Sequence, residues 1–253
     1  MRVLLTRNTQ HNRLMSREIE TRFAHLSPII FAAPLLEQVV IAEANNALKN
    51  LLSDKRIDDV IFISPSAVQF GFDKVSEFVK LPRFFAVGQG TANMLKTKLQ
   101  NEAKNIEVVF PKEQVGSEAL LSLPEMQKVE NNKILIVTGA QGKPLLENTL
   151  IERLAKITRW ECYQRQKPSG LSQQLKDCLL GGLDCVFLHS AHAARHFIEE
   201  LPQEVQTQSI LAIVGANSIA EELVARGWSG RILVAASPMP VDMVFQLQRV
   251  TTH

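Results

Sequence analysis

With 253 residues the chain is long enough to bury one large core or two modest ones, and 45% hydrophobic against 21% charged residues is the composition of a folded globular protein, which excludes a disordered chain. Its 28 basic and 26 acidic residues leave a formal charge of +2, so bulk charge argues against nucleic acid or an anionic membrane as partner, and any acidic ligand has to be recognised locally. No apolar run reaches the roughly 18 residues that cross a bilayer, and the opening MRVLLTRNTQ turns polar after Leu5, too soon for a signal-peptide core, which points to the cytoplasm.

In chain order, strand-length apolar runs occur at RVLLT (2–6), DDVIFIS (58–64), RFFAVG (83–88), KILIVTG (133–139), DCVFLHS (184–190), ILAIVG (210–215) and RILVAA (231–236), with helix-like segments between them. Apolar runs that alternate with helices predict parallel sheets covered on both faces, an α/β protein. Three cysteines, Cys162, Cys178 and Cys185, are an odd number without CxxC spacing and read as buried thiols rather than as disulfides or a structural zinc site.

The second half repeats the first. VIFISPSAVQFGFDKV (60–75) matches CVFLHSAHAARHFIEEL (185–201), pairing Ser64 with Ser190 at an offset of 126; FAVGQGTANML (85–95) matches AIVGANSIAEEL (212–223), pairing Gly88 with Gly215 at 127. LLTRNTQ (4–10) matches IVTGAQG (136–142) more loosely, pairing Thr6 with Thr138 at 132. In each copy a strand ends in Thr, Ser or Gly, a short loop of small residues follows, and a helix begins. Beyond the carboxyl ends of parallel strands, the free N–H groups and positive dipole end of such helices bind anions. The competing reading of Ser66, Thr91 and Ser218 is that they cap helices.

His192 and His196 stand at i and i+4 in HAARH, which lacks the glutamate of a zinc hydrolase motif and reads as helix surface rather than a metal site. TRNTQHN (6–12) has the hydroxyls of an FMN phosphate loop but no glycine, and GAQGK (139–143) lacks the P-loop spacing, so both read as generic anion loops. The chain's single tyrosine, Tyr163, lies in WECYQRQ (160–166), and on a strand Arg165 would share its face. A phenol there is either a proton donor or one half of an ordinary strand pair.

The ordered set LLTR (4–7), APLLE (33–37), FISPSAV (62–68), AVGQGTANML (86–95), GSEALL (116–121), GAQGK (139–143), CYQRQ (162–166), FLHSAHAA (187–194) and VGANSIAEEL (214–223) resembles the uroporphyrinogen-III synthase family over nearly the whole chain. That resemblance implies two flavodoxin-like domains, each a doubly wound parallel sheet, joined by a two-stranded linker with the active site in the cleft between them. One domain is discontinuous, residues 1–36 with 168–253; the other is 37–167, with linker strands near 33–37 and 162–167. It implies a lyase reaction without cofactor or metal, in which hydroxymethylbilane cyclises to uroporphyrinogen III with loss of water and inversion of ring D. The linear tetrapyrrole is the expected partner, handed over by the preceding pathway enzyme to a monomer.

By the same resemblance Tyr163 assists departure of the hydroxyl. The substrate's acetate and propionate groups are met by loops at Ser64, Ser66, Gly88, Thr91, Thr138, Gly139, Ser190, Ala191 and Ser218, with Arg7, Lys143 and Arg165 as the charged candidates. Asn217 and Ser218 stand where many members carry two hydroxyl residues, and Lys143 where arginine is common. Two further readings stay open on the residues alone: a two-lobed binding or sensor protein for an anionic small molecule, and a flavodoxin-like FMN protein.

Overall fold

The computed structural model describes residues 1–41, 57–76, 82–101, 106–140 and 142–251. Its strands, in chain order, are β1 Arg2–Leu5, β2 Ile29–Ala32, β3 Glu37–Val40, β4 Asp59–Phe62, β5 Arg83–Ala86, β6 Val108–Val109, β7 Lys133–Gly139, β8 Lys156–Gln166, β9 Cys185–Leu188, β10 Leu211–Val214 and β11 Ile232–Val234. They form two sheets, one ordered β2-β1-β9-β10-β11 and the other β3-β8-β7-β4-β5-β6. Every pairing from β2 to β11 in the first and from β8 to β6 in the second is parallel. Backbone proximity divides the chain into two compact units, Met1–Glu37 with Gln166–His253, and Gln38–Arg165. No helix among the described residues is long and apolar enough to cross a membrane.

Strands β1, β4, β5, β7, β9 and β10 are buried on both faces, which is why they read as unbroken apolar runs. In the first unit Leu4, Val186, Leu188, Ala212 and Val214 pack against helices Leu171–Leu179, Ala191–Glu200 and Asn217–Ala225. The alternate residues Val3, Leu5, Cys185, Phe187 and Ile213 pack on the other side, against helices Thr9–Arg22 and Pro240–Thr251. In the second unit Val60, Phe62, Phe84, Ala86, Leu135 and Val137 face helices Pro65–Val75 and Gln89–Asn101, while Ile61, Phe85, Ile134 and Ile136 face Ser117–Leu121, Pro124–Gln127 and Leu145–Glu152. All three cysteines are buried and free, and burial raises the Cys162 thiol to about 12.

The repeat reappears in space, but each unit mixes the two copies. Placing Ser190 on Ser64, Gly215 on Gly88 and Thr6 on Thr138 superposes the order β2-β1-β9-β10-β11 on β8-β7-β4-β5-β6. In chain order the first unit is 2-1-3-4-5, the flavodoxin arrangement, and the second is its cyclic permutation. Individual bonds repeat as well. Asp184 Oδ2 accepts the Arg2 N–H at 2.7 Å at the start of β1, and Asp58 Oδ2 accepts the Lys133 N–H at 2.9 Å at the start of β7.

The stretch read as the first linker strand differs in detail, because β3 begins at Glu37 and runs to Val40. Before it the chain is still held to β1: the Ala33 N–H donates to Leu5 O at 3.0 Å and the Leu35 N–H to Thr6 O at 3.1 Å, while Pro34 has no N–H to offer. β8 is longer than the extended stretch seen in the sequence and starts at Lys156.

One pair distinguishes the two units. Fully buried Asp59 takes both arms of the Arg83 guanidinium, at 2.6 and 3.0 Å, and the Asn132 amide at 3.0 Å. The equivalent residues in the first unit are Cys185 and Ile210, both buried. Arg83→Ile strands a buried carboxylate and is expected to cost about 3 kcal/mol, whereas the double change Asp59→Cys with Arg83→Ile recovers most of it. Urea unfolding of both variants tests this, and equal losses would contradict it.

Candidate functional site

In each unit the winding reverses at one place. The helix after β1, Thr9–Arg22, and the helix after β9, Ala191–Glu200, lie on opposite faces of the sheet; Leu145–Glu152 after β7 and Pro65–Val75 after β4 do the same. Loops leaving neighbouring strand ends toward opposite faces open a crevice there, the usual ligand position in such sheets.

In the second unit the crevice is built from Ser64, Gly139 and Tyr163. Ser64 is the N-cap of helix Pro65–Val75 and its Oγ accepts the Ala67 N–H at 3.0 Å. Pro65 follows at the first helical position, where its missing N–H costs no hydrogen bond, and Ser66 supplies the next N–H. The register of β8 slips against β7: Thr138 pairs with Glu161 and Gly139 with Tyr163, so Cys162 is an extra residue, a bulge. The slip lays the phenol across Gly139, where a Cβ would stand 2.6 Å from Tyr163 Cζ. The Tyr163 ring stacks on Phe70 at 5.5 Å, is 6% exposed, and brings its hydroxyl to 3.2 Å from Ser64 Oγ.

The remaining candidates of this unit are spread around that centre. Thr138 is fully buried and its hydroxyl donates to Gly139 O at 3.1 Å. Lys143 is exposed in the loop after β7, and Gln141 of GAQGK lies outside the described residues. Arg159 holds that loop, donating to Gly142 O at 3.2 Å while paired with Glu161 at 3.0 Å; nothing in its sequence context had marked it. Gly88 is buried where a Cβ would touch Val115 at 3.0 Å, and Thr91 is buried in the following helix. Arg165 is exposed, two residues past the last β7 partner of β8.

In the first unit Ser190 caps helix Ala191–Glu200 as Ser64 does its own helix, accepting the Ala193 N–H at 3.1 Å, and Ala191 is half-buried beside it. Asn12 clamps the facing loop, accepting the Arg7 N–H at 3.1 Å and donating to Arg7 O at 2.7 Å. Arg7 is half-buried, and desolvation lowers its basicity. Asn8, the N-cap of helix Thr9–Arg22, accepts the His11 N–H at 3.1 Å. Ser218 is exposed in the first turn of helix Asn217–Ala225, whose N-cap is Ala216. Ser66 and Ser218 are therefore not the caps; in the two best-formed loops that work falls to Ser64 and Ser190.

Of the histidines, His192 is exposed and His196 Nδ1 lies 2.9 Å from Leu35 O. His189, which sequence reasoning passed over, has both ring nitrogens covered and without a hydrogen-bond partner.

Residues 17–244 match the family described as uroporphyrinogen-III synthase HemD. The chain belongs to the uroporphyrinogen-III synthase family. Among curated relatives, the uroporphyrinogen-III synthase of Salmonella typhimurium is 31% identical over 169 residues and that of Escherichia coli 29% over 169, each alignment covering 65% of this chain and 65% of the relative. The match thus spans under two-thirds of those relatives' length. Among solved structures, the uroporphyrinogen-III synthetase of Helicobacter pylori covers 99% of this chain and 100% of its own at a TM-score of 0.62 and 15% identity. A mutant uroporphyrinogen III synthase from Thermus thermophilus covers 100% and 99% at a TM-score of 0.53, also with 15% identity. Both share this α/β fold.

Burial, together with the charges of Arg7 and His11, lowers His189 from 6.5 to about 3. The unfolded chain therefore takes up a proton that the folded one refuses, and this contribution to stability shrinks as pH falls from 6.5 toward 3. His189→Ile should flatten that part of the stability profile; identical acid slopes in denaturant unfolding would contradict it.

Proposed function

We propose that this chain is a uroporphyrinogen-III synthase: a lyase that cyclises hydroxymethylbilane to uroporphyrinogen III with loss of water and inversion of ring D, acting in the cytoplasm without a cofactor. The observation that carries the reading is the family match across residues 17–244. The two compact units support taking residues 1–36 with 168–253 as one domain and 37–167 as the other.

The geometry around Tyr163 suits the step that starts the reaction. The phenol donates a proton to the departing hydroxyl, which leaves as water, and the substrate becomes an electron-poor azafulvenium cation whose charge balances the phenolate. Ser64 Oγ already accepts the Ala67 N–H, so its own O–H is free to donate to the phenolate that forms. The N-terminus of helix Pro65–Val75 adds a positive dipole end to the same point. Attack through the substituted carbon of ring D then gives a spirocyclic intermediate, and fragmentation and reclosure deliver the inverted ring.

Once the hydroxyl has left, the substrate supplies the electronics, and the protein's task is to hold the folded conformer against direct closure. Carboxylates all round the tetrapyrrole suit amide donors at Ser66, Ala191 and Ser218, with Arg7 and the exposed Lys143 and Arg165 as counter-charges. Thr138, Gly139, Gly88 and Thr91, buried beneath these loops, shape them; the close fit of Gly139 to the phenol is the clearest case.

Hydroxymethylbilane supplied to the purified protein, followed by oxidation and separation of the isomers, tests the reading. Type III is expected, and type I alone at the spontaneous rate would overturn it. Tyr163→Phe keeps the ring that packs on Gly139 and Phe70 and should lower kcat about a hundredfold with little change in melting temperature. An unchanged kcat would remove Tyr163 from the mechanism.

A further inference from the structure

We propose that His189 is a substrate-binding residue, whose imidazole takes, together with Arg7, one carboxylate of the tetrapyrrole at the switch point between β1 and β9. This assignment rests on the function proposed above.

The first observation is chemical. A neutral imidazole carries one N–H donor and one lone-pair acceptor, and in His189 both positions are covered and unpartnered. Buried donors and acceptors are nearly always met, because leaving one unmet destabilises the fold, so an orphaned ring calls for a reason. The fold itself does not require it. The equivalent position in the other unit, one residue before Ser64, is Ile63, which packs half-buried against the apolar cluster around Ile61 and Ile136. An aliphatic residue fills this place between strand end and helix cap with no polar atom to satisfy.

The second observation is placement. Leu5 pairs with Phe187 in the β1–β9 ladder, and Thr6 Oγ1 donates to Phe187 O at 2.5 Å. Arg7 and His189 each lie two residues past that pair, on adjacent strand ends, and Ser190 caps the next helix. His11, with Nδ1 2.7 Å from Asn8 Oδ1, stands one turn into the facing helix. The charged and titratable groups felt by the ring are thus Arg7 and His11, both of positive type, and together with burial they keep it neutral.

A carboxylate is the ligand that completes this set. It neutralises the guanidinium and offers an acceptor to the imidazole N–H. A half-turn about Cβ–Cγ exchanges Nδ1 with Cδ2 and Nε2 with Cε1, so the ring can change the side on which it presents its nitrogens without any backbone movement.

The test uses hydroxymethylbilane turnover by the wild type, His189→Ile and His189→Gln. The isoleucine variant transplants the residue of the equivalent position. It should melt no lower than the wild type at neutral pH, while its KM rises about tenfold and kcat changes less, as expected for loss of one hydrogen bond to a charged group. The glutamine variant, which keeps an amide donor, should fall between. A wild-type KM in His189→Ile, with or without a lowered melting temperature, would overturn the role and leave the ring as packing. Type I product alone from the wild type would instead overturn the function, and this role with it.

Discussion

The reversal of winding between β1 and β9, and between β7 and β4, is the constraint on which the rest of each unit depends. A parallel strand cannot turn directly into its neighbour and must hand over to a helix that packs back on one face. Where two neighbouring strands choose opposite faces, their loops part, and ligands of such sheets bind between them. At these two reversals stand Ser64 and Ser190 at the caps, Tyr163 over Gly139, and Arg7 with His189. The ladders fix these positions from below, through the repeated carboxylate contacts of Asp58 and Asp184 at the opposite strand ends.

The two units answer the same constraint with different residues. Both cap the helix after the central strand with serine, and both place a glycine after the next strand where another loop crosses: Gly88 under Val115, and Gly215, where a Cβ would lie 2.9 Å from Pro238. Beyond that shared frame they diverge. One unit pairs a buried Asp59 with an exposed Arg83 where the other has Cys185 and Ile210, and one follows its central strand with Ile63 where the other has His189. Since Ile63 and His189 occupy equivalent places, packing alone does not dictate an imidazole.

Much of this architecture was legible in the sequence because parallel strands buried on both faces leave long apolar runs. Six of the strands stood out for that reason, and β11 stood out by its apolar residues although it is not fully buried. β2 and β6 did not: β2 is half-exposed along its length and β6 is two residues long, so neither leaves a pattern. The serines at 64 and 190 were legible from the repeat, although which hydroxyl of each loop caps the helix was not. The bulge at Cys162 was invisible because a one-residue slip in register leaves no mark in composition, yet it is what brings Tyr163 over Gly139; Arg165 is exposed because β8 runs on past the end of β7. His189 was passed over for a related reason: the sequence gives its spacing from other histidines, whereas its significance lies in which of its atoms are covered.

The location of the site is the claim from which the chemistry follows, and amide hydrogen exchange with and without bound uroporphyrinogen III tests it most directly. Slowed exchange is expected in the first turns of helices Pro65–Val75 and Ala191–Glu200 and in the loop after β1, with little change at the opposite strand ends around Asp58 and Asp184. Protection at those opposite ends, with the first turns unchanged, would contradict it.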